Sequence, residues 1–356
     1  MFIRHRIFYG LVAICLIFGL TIVTPAAGVV AQKKDKAEKN KDDKDKKDKK
    51  EKKKKDKKDE SDTVSARELH PVLWEEPTDI ESRDLFYGPG GAEGAPDPSG
   101  KFTFERRSSS GTSEKIIVKD DRGRSWTVKF GAETKPETAA TRILWAVGYH
   151  VDQDYFVKRA HIEGRGGFDV WDVRFERRDD GYEEEGIWSW HSNPFMGKRE
   201  LQGLKVLMAL LNNWDLKDIN NKILRPKKSS GADRNERIYY IADLGGTLGS
   251  TGSIFRKLIP FGDLPAGSKG SPEDYANSVF IEGVRNGKVV FHYAGKDPAA
   301  LQDVTVENAR WMGDLLGRLS DKQLADAFRA GGFSDTEVQT YVRAMRNRIN
   351  QLKNLR

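Results

Sequence analysis

Two short stretches decide how this sequence reads: Asp215-Leu216-Lys217-Asp218-Ile219-Asn220 and, further on, Ile241-Ala242-Asp243-Leu244-Gly245. The first follows residues 201–211, where apolar side chains at 201, 204, 206–208, 210 and 211 predict a helix with a wide buried stripe. Between the two stretches lie Lys222-Ile223-Leu224 and Ile238-Tyr239-Tyr240-Ile241-Ala242, a pair of expected strands joined by the polar loop 225–237. A hairpin with Asn220 at its start and Asp243 at its end returns both side chains to one end of the sheet. With Asp215 they would bring two carboxylates and an amide oxygen together, donors suited to a hard cation.

Working outward toward the N-terminus, Phe102-Thr103-Phe104, Lys115-Ile116-Ile117-Val118 and Trp126-Thr127-Val128-Lys129-Phe130 read as three strands. The polar loop 108–113 and the turn Asp121-Arg122-Gly123-Arg124 separate them. A helix follows, with Thr134 as its expected N-cap, Pro136 and Glu137 in the first turn, and Gly148 closing it. Tyr155-Phe156-Val157 and the alternating run 168–175 add strands, so a mostly antiparallel sheet with one helix after its third strand is expected. Toward the C-terminus, 245–300 is Gly-rich with little periodicity apart from 279–281 and 289–293. Three helices end the chain, two opening on the capping boxes Ser320-x-x-Gln323 and Ser334-x-x-Glu337. The expected class is α+β: a β-rich N-terminal lobe over 101–190 and a helical C-terminal lobe over 191–356. Residues 62–100, dense in Pro and Gly, read as an extended lead-in.

The first 61 residues read differently. Residues 7–31 carry no charge, follow Arg4-His5-Arg6 and end on Pro25-Ala26-Ala27-Gly28-Val29-Val30-Ala31, the layout of a signal peptide cleaved after Ala31. Cleavage implies export to the periplasm or beyond. The alternative is an uncleaved membrane anchor, for which the run is long enough, and the lysine excess beyond it would then hold the folded part in the cytoplasm. Cys15, the single cysteine, lies inside this run, and Ile14 before it is too bulky for lipoprotein processing. A cleaved chain therefore has no thiol for disulfides, thiolate catalysis or cysteine-ligated metal. Residues 32–61 form a Lys/Asp/Glu-rich spacer, with 16 lysines against 10 acids over 33–60, too polar to offset the entropy of ordering. Together with Arg4 and Arg6 it accounts for the whole net charge of +7 and leaves the remainder near neutral. The basic tract can touch an anionic envelope surface, but the folded part carries no charge signature of specific nucleic-acid binding. The six histidines show no zinc-ligand spacing, and no Gly-x-Ser-x-Gly element points to a serine hydrolase.

Asp215-Leu-Lys-x-x-Asn220 resembles the catalytic loop of protein kinases, and Ile241-Ala-Asp243-Leu-Gly245 resembles their metal-binding Asp-Phe-Gly segment. Val128-Lys129, ahead of a helix with an early glutamate, is similar to their phosphate-binding lysine and its partner. The order of parts matches over roughly residues 100–250. Several departures place the resemblance with atypical members: HipA-type toxin kinases, phosphoinositide kinases, CotH-type spore-coat kinases and secreted Fam-type kinases. Asn213-Trp214 stands in place of His-Arg, which removes the usual basis for control by a phosphorylated activation loop. The phosphate loop is spelled Ser108-Ser109-Ser110-Gly111-Thr112-Ser113, and Glu137 follows Lys129 by only eight positions.

The resemblance implies a two-lobed protein-kinase-like fold with ATP and Mg²⁺ (or Mn²⁺) as cofactors. It assigns Lys129, Glu137, Ser110 and Gly111 to the nucleotide and Asn220 and Asp243 to the metal. Asp215 would act on an acceptor hydroxyl of protein, lipid or glycan, and Lys217 would neutralise the transferred phosphate. Some positions keep a second reading. Glu137 also completes a capping box with Thr134, a one-residue register shift would exchange Asn221 for Asn220, and Asp218 reads as a turn acid. Trp188 and Trp190, alternating on a short expected strand, either line the lobe junction or pack in a core. The rival function is a non-catalytic pseudokinase or scaffold of the cell envelope, which export favours because ATP is scarce there.

Overall fold

The computed structural model of the chain describes residues 69–108, 113–178, 181–252 and 267–356. The expected signal segment and spacer, together with Ser110 and Gly111, lie outside the described residues. The first strand, β1 (His70–Val72), pairs in parallel with a strand far along the chain, and short helical turns follow it up to Gly94. Leu73, Ile80 and Leu85 are fully or nearly fully buried. From His70 on, the stretch expected as an extended lead-in is thus docked, each large apolar side chain contributing about 1.5–3 kcal/mol by burial.

Five strands then close into a barrel in the order β2-β3-β4-β6-β5. They are β2 (Phe102–Ser108), β3 (Lys115–Asp120), β4 (Ser125–Lys129), β5 (Asp154–Glu163) and β6 (Phe168–Arg177). All neighbours are antiparallel except the closing pair, where Phe102 and Thr103 of β2 run parallel to Ile162 and Glu163 of β5. A register shift between Phe104 and Arg106 bends β2 toward that partner, which turns the expected antiparallel sheet into a barrel. Phe102, Trp126, Val128, Val173 and Phe175 fill the interior. The helix α1 (Thr134–Ala146) is inserted after the third barrel strand, as the sequence predicts.

The second half is built on a four-stranded sheet, β1-β9-β8-β7, with β7 (Tyr182–Ile187), β8 (Asn221–Pro226) and β9 (Glu236–Ile241). Residues 182–187, expected in the N-terminal lobe, therefore pair with the hairpin of the other half. Their composition, Tyr-Glu-Glu-Glu-Gly-Ile, gives no strand signal of its own. Partners across the sheet supply it: Glu184 meets Lys222 at 2.7 Å and Glu183 meets Arg225 at 2.9 Å. The short strand expected around Trp188 and Trp190 is instead a tight turn after β7. Both rings are buried edge to face, 4.9 Å apart, so they serve the core.

Helix α2 (Arg199–Leu210) is buried from Leu201 through Leu210, which fits a helix apolar on nearly every face. Gly203 is required there, because a Cβ would come within 2.6 Å of both Trp311 and the Tyr149 hydroxyl. Around α2 lie α3 (Pro272–Asn277), the hairpin β10 (Ile281–Arg285) and β11 (Lys288–Phe291), and the C-terminal helices α4 (Val306–Gly317), α5 (Asp321–Ala330) and α6 (Asp335–Lys353). Both expected capping boxes are present, at Ser320 and Ser334. Among the described residues no helix is long and apolar enough to cross a membrane.

Candidate functional site

Lys129 ends β4 and points out of the barrel toward α1. Its ammonium is 2.9 Å from Glu137 Oε2 and 2.8 Å from Glu133 Oε2, and 3.7 Å from Asp243 Oδ1. Glu137 is not used as a capping residue. The helix begins at Thr134 with Glu133 at its cap position and no side-chain cap bond. Thr134 Oγ1 donates to the carbonyls of Gly131 and Asp172 instead. That correction frees Glu137 for the lysine, and Arg174 faces its other oxygen at 2.7 Å.

Burial opposes the charge on Lys129, but Glu137, Asp243 and Glu133 outweigh it and hold the ammonium above its ordinary pKa. On Glu137 burial wins: the carboxyl is pushed up to about 7, with Arg174 and Lys129 pulling the other way. The lysine is therefore charged at any working pH, and its glutamate partner sits at the edge of neutrality.

The loop carrying Asp215 is held by polar anchors at its start. Asn212 turns left-handed after α2, at φ 53°, and its side chain donates to Gly249 O (2.6 Å) and accepts from Arg348 (3.0 Å). Asn213 Oδ1 accepts from the Asp215 amide at 3.1 Å, fixing the turn. Trp214 donates its indole N–H to Ser268 O at 3.0 Å. Asn213 and Trp214 thus hold the loop through hydrogen bonds to its own backbone and to Ser268. Asp215 has two ammonium neighbours at Oδ1, Lys217 at 3.1 Å and Lys296 at 3.0 Å. Asp218 accepts from the Trp190 amide at 3.1 Å, a structural contact.

The two asparagines separate cleanly. Asn220 Nδ2 donates to Asp215 O at 2.8 Å and lies 3.4 Å from Asp215 Oδ2. Asn221 is buried and donates to Trp188 O at 3.0 Å. Asn220 is therefore the one beside Asp215, and the backbone bond from Ala242 N to Asn220 O, 2.8 Å, sets it next to Asp243. The Asp243 side chain is 43% exposed, open to a ligand in a way that Glu137 at 1% is not. A carboxylate and an amide oxygen at adjacent strand ends fit a hard cation whose other positions are filled by phosphate oxygens and water. Among the described residues no cluster of three or more His, Cys, Asp or Glu forms a cage able to hold a metal without a ligand.

Glu133, Arg174, Lys269 and Lys296 belong to this constellation, and the sequence reading did not find them. Arg174 had the flanking signal of Val173 and Phe175 on an alternating strand, but nothing to say that it is buried. Lys269 and Lys296 sit in the Gly-rich stretch without periodicity. A chain of buried charges runs on from the site: Arg174 also meets Asp154 at 3.2 Å, and Asp154 meets Arg142 at 3.2 Å. Arg142 reaches a cavity of about 1070 Å³ behind the barrel, lined also by Phe86, Arg122, Tyr155, Phe156 and Arg177. That cavity holds none of the residues predicted for the site. The chemistry-bearing groups lie at the Lys129 end of the chain.

No protein-family model matches the sequence, and no curated protein matches it. Among the solved structures that resemble it loosely are two kinases. A Helicobacter pylori proinflammatory kinase, CtkA, is 12% identical, with 72% of this chain and 94% of that chain covered at a TM-score of 0.39. A Rio2 kinase from Chaetomium thermophilum, solved as an ADP/Mg²⁺–phosphoaspartate complex, is 13% identical, with coverages of 70% and 72% and a TM-score of 0.30. Likenesses this distant carry no argument, and the functional reading rests on the side chains.

Proposed function

We propose that the chain is a two-lobed, kinase-like protein that binds Mg²⁺–ATP between the barrel and the α2 half and transfers the γ-phosphoryl group to a hydroxyl acceptor. The observation that carries this reading is the buried Lys129–Glu137 pair, 2.9 Å long, with Asp243 3.7 Å from the same ammonium. A lysine so placed presents a fixed positive charge to phosphate oxygens. Asp243 and Asn220 would hold the divalent cation, which supplies charge neutralisation on the β- and γ-phosphates when bound. Asp215, at the loop end beside Asn220, would orient the acceptor hydroxyl and take up its proton. The acceptor oxygen forms the new bond to phosphorus as the bond to the β,γ-bridging oxygen breaks and ADP leaves. Lys217, 44% exposed and paired with Asp215 at 3.1 Å, would follow the transferred phosphate. The acceptor hydroxyl would belong to a protein, lipid or glycan.

A non-catalytic nucleotide binder is the second reading, and one observation favours it. Two ammonium groups lie within 3.1 Å of Asp215 Oδ1, so that oxygen is engaged by cations instead of standing open to an acceptor hydroxyl. The deciding experiment gives the full chain Mg²⁺ and γ-labelled ATP with host envelope protein, lipid and glycan fractions, alongside calorimetric binding. Transfer of label supports the phosphotransferase. Tight binding without transfer supports the non-catalytic binder, and absence of both refutes the nucleotide reading.

A further inference from the structure

Glu133 stands just before α1, and none of the roles above uses it. Its carboxylate is where donors from three separate parts of the chain converge. Oε2 lies 2.8 Å from the Lys129 ammonium and accepts a 3.1 Å hydrogen bond from Ser113 Oγ, between β2 and β3. Oε1 accepts a 2.7 Å bond from Lys269 Nζ, ahead of α3 and 136 residues away. Burial works against this carboxyl, yet the two lysines outweigh it and bring it down to about 2, so it is an anion at every relevant pH. Gly245, two residues after Asp243, makes room: a Cβ there would meet the Glu133 Cβ at 2.7 Å.

Two ammonium groups and a hydroxyl aimed at one pair of anionic oxygens are the donor set of a phosphate site. Glu133 is not the sole carboxylate beside Lys129, which also has Glu137 at 2.9 Å and Asp243 at 3.7 Å. The glutamate is 20% exposed, on the side of Lys129 nearer solvent than Glu137. Resting on the nucleotide reading, we infer that Ser113, Lys129 and Lys269 form a polyphosphate subsite and that Glu133 occupies it as an internal stand-in for phosphate oxygens. Nucleotide then binds by displacing the Glu133 carboxylate. The apparent affinity is lowered by the fraction of molecules in which that carboxylate is in place.

The test uses the full chain, with Mg²⁺–ATP and inorganic tripolyphosphate as separate probes in calorimetry. Glu133→Gln keeps the shape and removes the charge, and Glu133→Ala guards against a glutamine that keeps the same contacts. Both variants should bind both probes about 10-fold more tightly than the wild type, a change equal to ~1.4 kcal/mol. Adding Lys269→Ala to Glu133→Gln should remove most of that gain. If the wild type binds ATP and neither Glu133 variant binds either probe more tightly, the stand-in role is overturned while the nucleotide reading survives. If tripolyphosphate tightens but no form binds ATP, the subsite stands and the nucleotide reading falls. Should neither probe bind any form, or should both Glu133 variants fail to fold, the inference is overturned and Glu133 is a structural ion-pair anchor.

Discussion

Arg174→Met tests whether the buried charges act as one connected unit. Arg174 is 2% exposed and faces Glu137 at 2.7 Å, Asp154 at 3.2 Å and Glu176 at 2.5 Å. Methionine keeps much of the stem and removes the charge. Glu137 is then left with Lys129, and Asp154 with Arg142. Removing one partner of a buried ion pair costs about 3–5 kcal/mol. At about 2–4 °C per kcal/mol for a domain of this size, the melting temperature should fall by roughly 6–20 °C at neutral pH. The pH dependence is the sharper signature. Burial raises the Glu137 carboxyl to about 7 against Arg174 and Lys129, and it raises Asp154 against Arg174 and Arg142. Carboxyl groups with a raised folded pKa contribute stability that is complete below the unfolded value and lost as pH rises through the folded one. For Glu137 that window runs from 4.5 to about 7. Without Arg174 both groups shift further up, so the deficit should be largest above pH 7 and shrink toward pH 5 as protons replace the lost cation. Urea titrations of the wild type and variant at pH 5, 6.5 and 8 measure this. A deficit unchanged between pH 5 and pH 8, or below about 1 kcal/mol at pH 8, would refute the reasoning.

Other outcomes follow from the same geometry. Lys129→Ala should weaken Mg²⁺–ATP binding by about 10- to 100-fold, the worth of a charge-assisted phosphate contact, as read by calorimetry. Asp243→Asn should keep its unliganded melting temperature and lose most of the Mg²⁺-dependent part of the ATP-induced shift; equal shifts in both proteins would remove Asp243 from the metal site. Asp215→Asn should retain nucleotide affinity within about threefold and lose transfer, because its role arises mainly in the transition state. Intact-mass analysis from the native host should give a chain beginning at Gln32, and a full-length mass would count against cleavage.

The sequence by itself determined what is written in local patterns. The barrel strands and α1 follow from alternation and helical periodicity, the C-terminal helices from their capping boxes. Lys129, Glu137, Asp215, Asn220 and Asp243 were singled out by the kinase-like spelling and order of their motifs, each near the end of such an element. Motif spacing favoured Asn220 over Asn221, and the coordinates add that Asn220 lies beside Asp215 while Asn221 is buried against Trp188. Tertiary structure alone decided the rest. It closed the sheet into a barrel through two residue pairs, and made a strand of Glu183-Glu184-Glu185 by setting basic residues opposite. It also released Glu137 from the cap that its spacing to Thr134 suggested. Glu133, Arg174, Lys269 and Lys296 look in sequence like any charged surface residues. What distinguishes them is a partner far along the chain, 136 residues away for Glu133 and Lys269. A charge acquires its meaning from the burial and opposite charge that folding brings to it, and neither is encoded in its near neighbours.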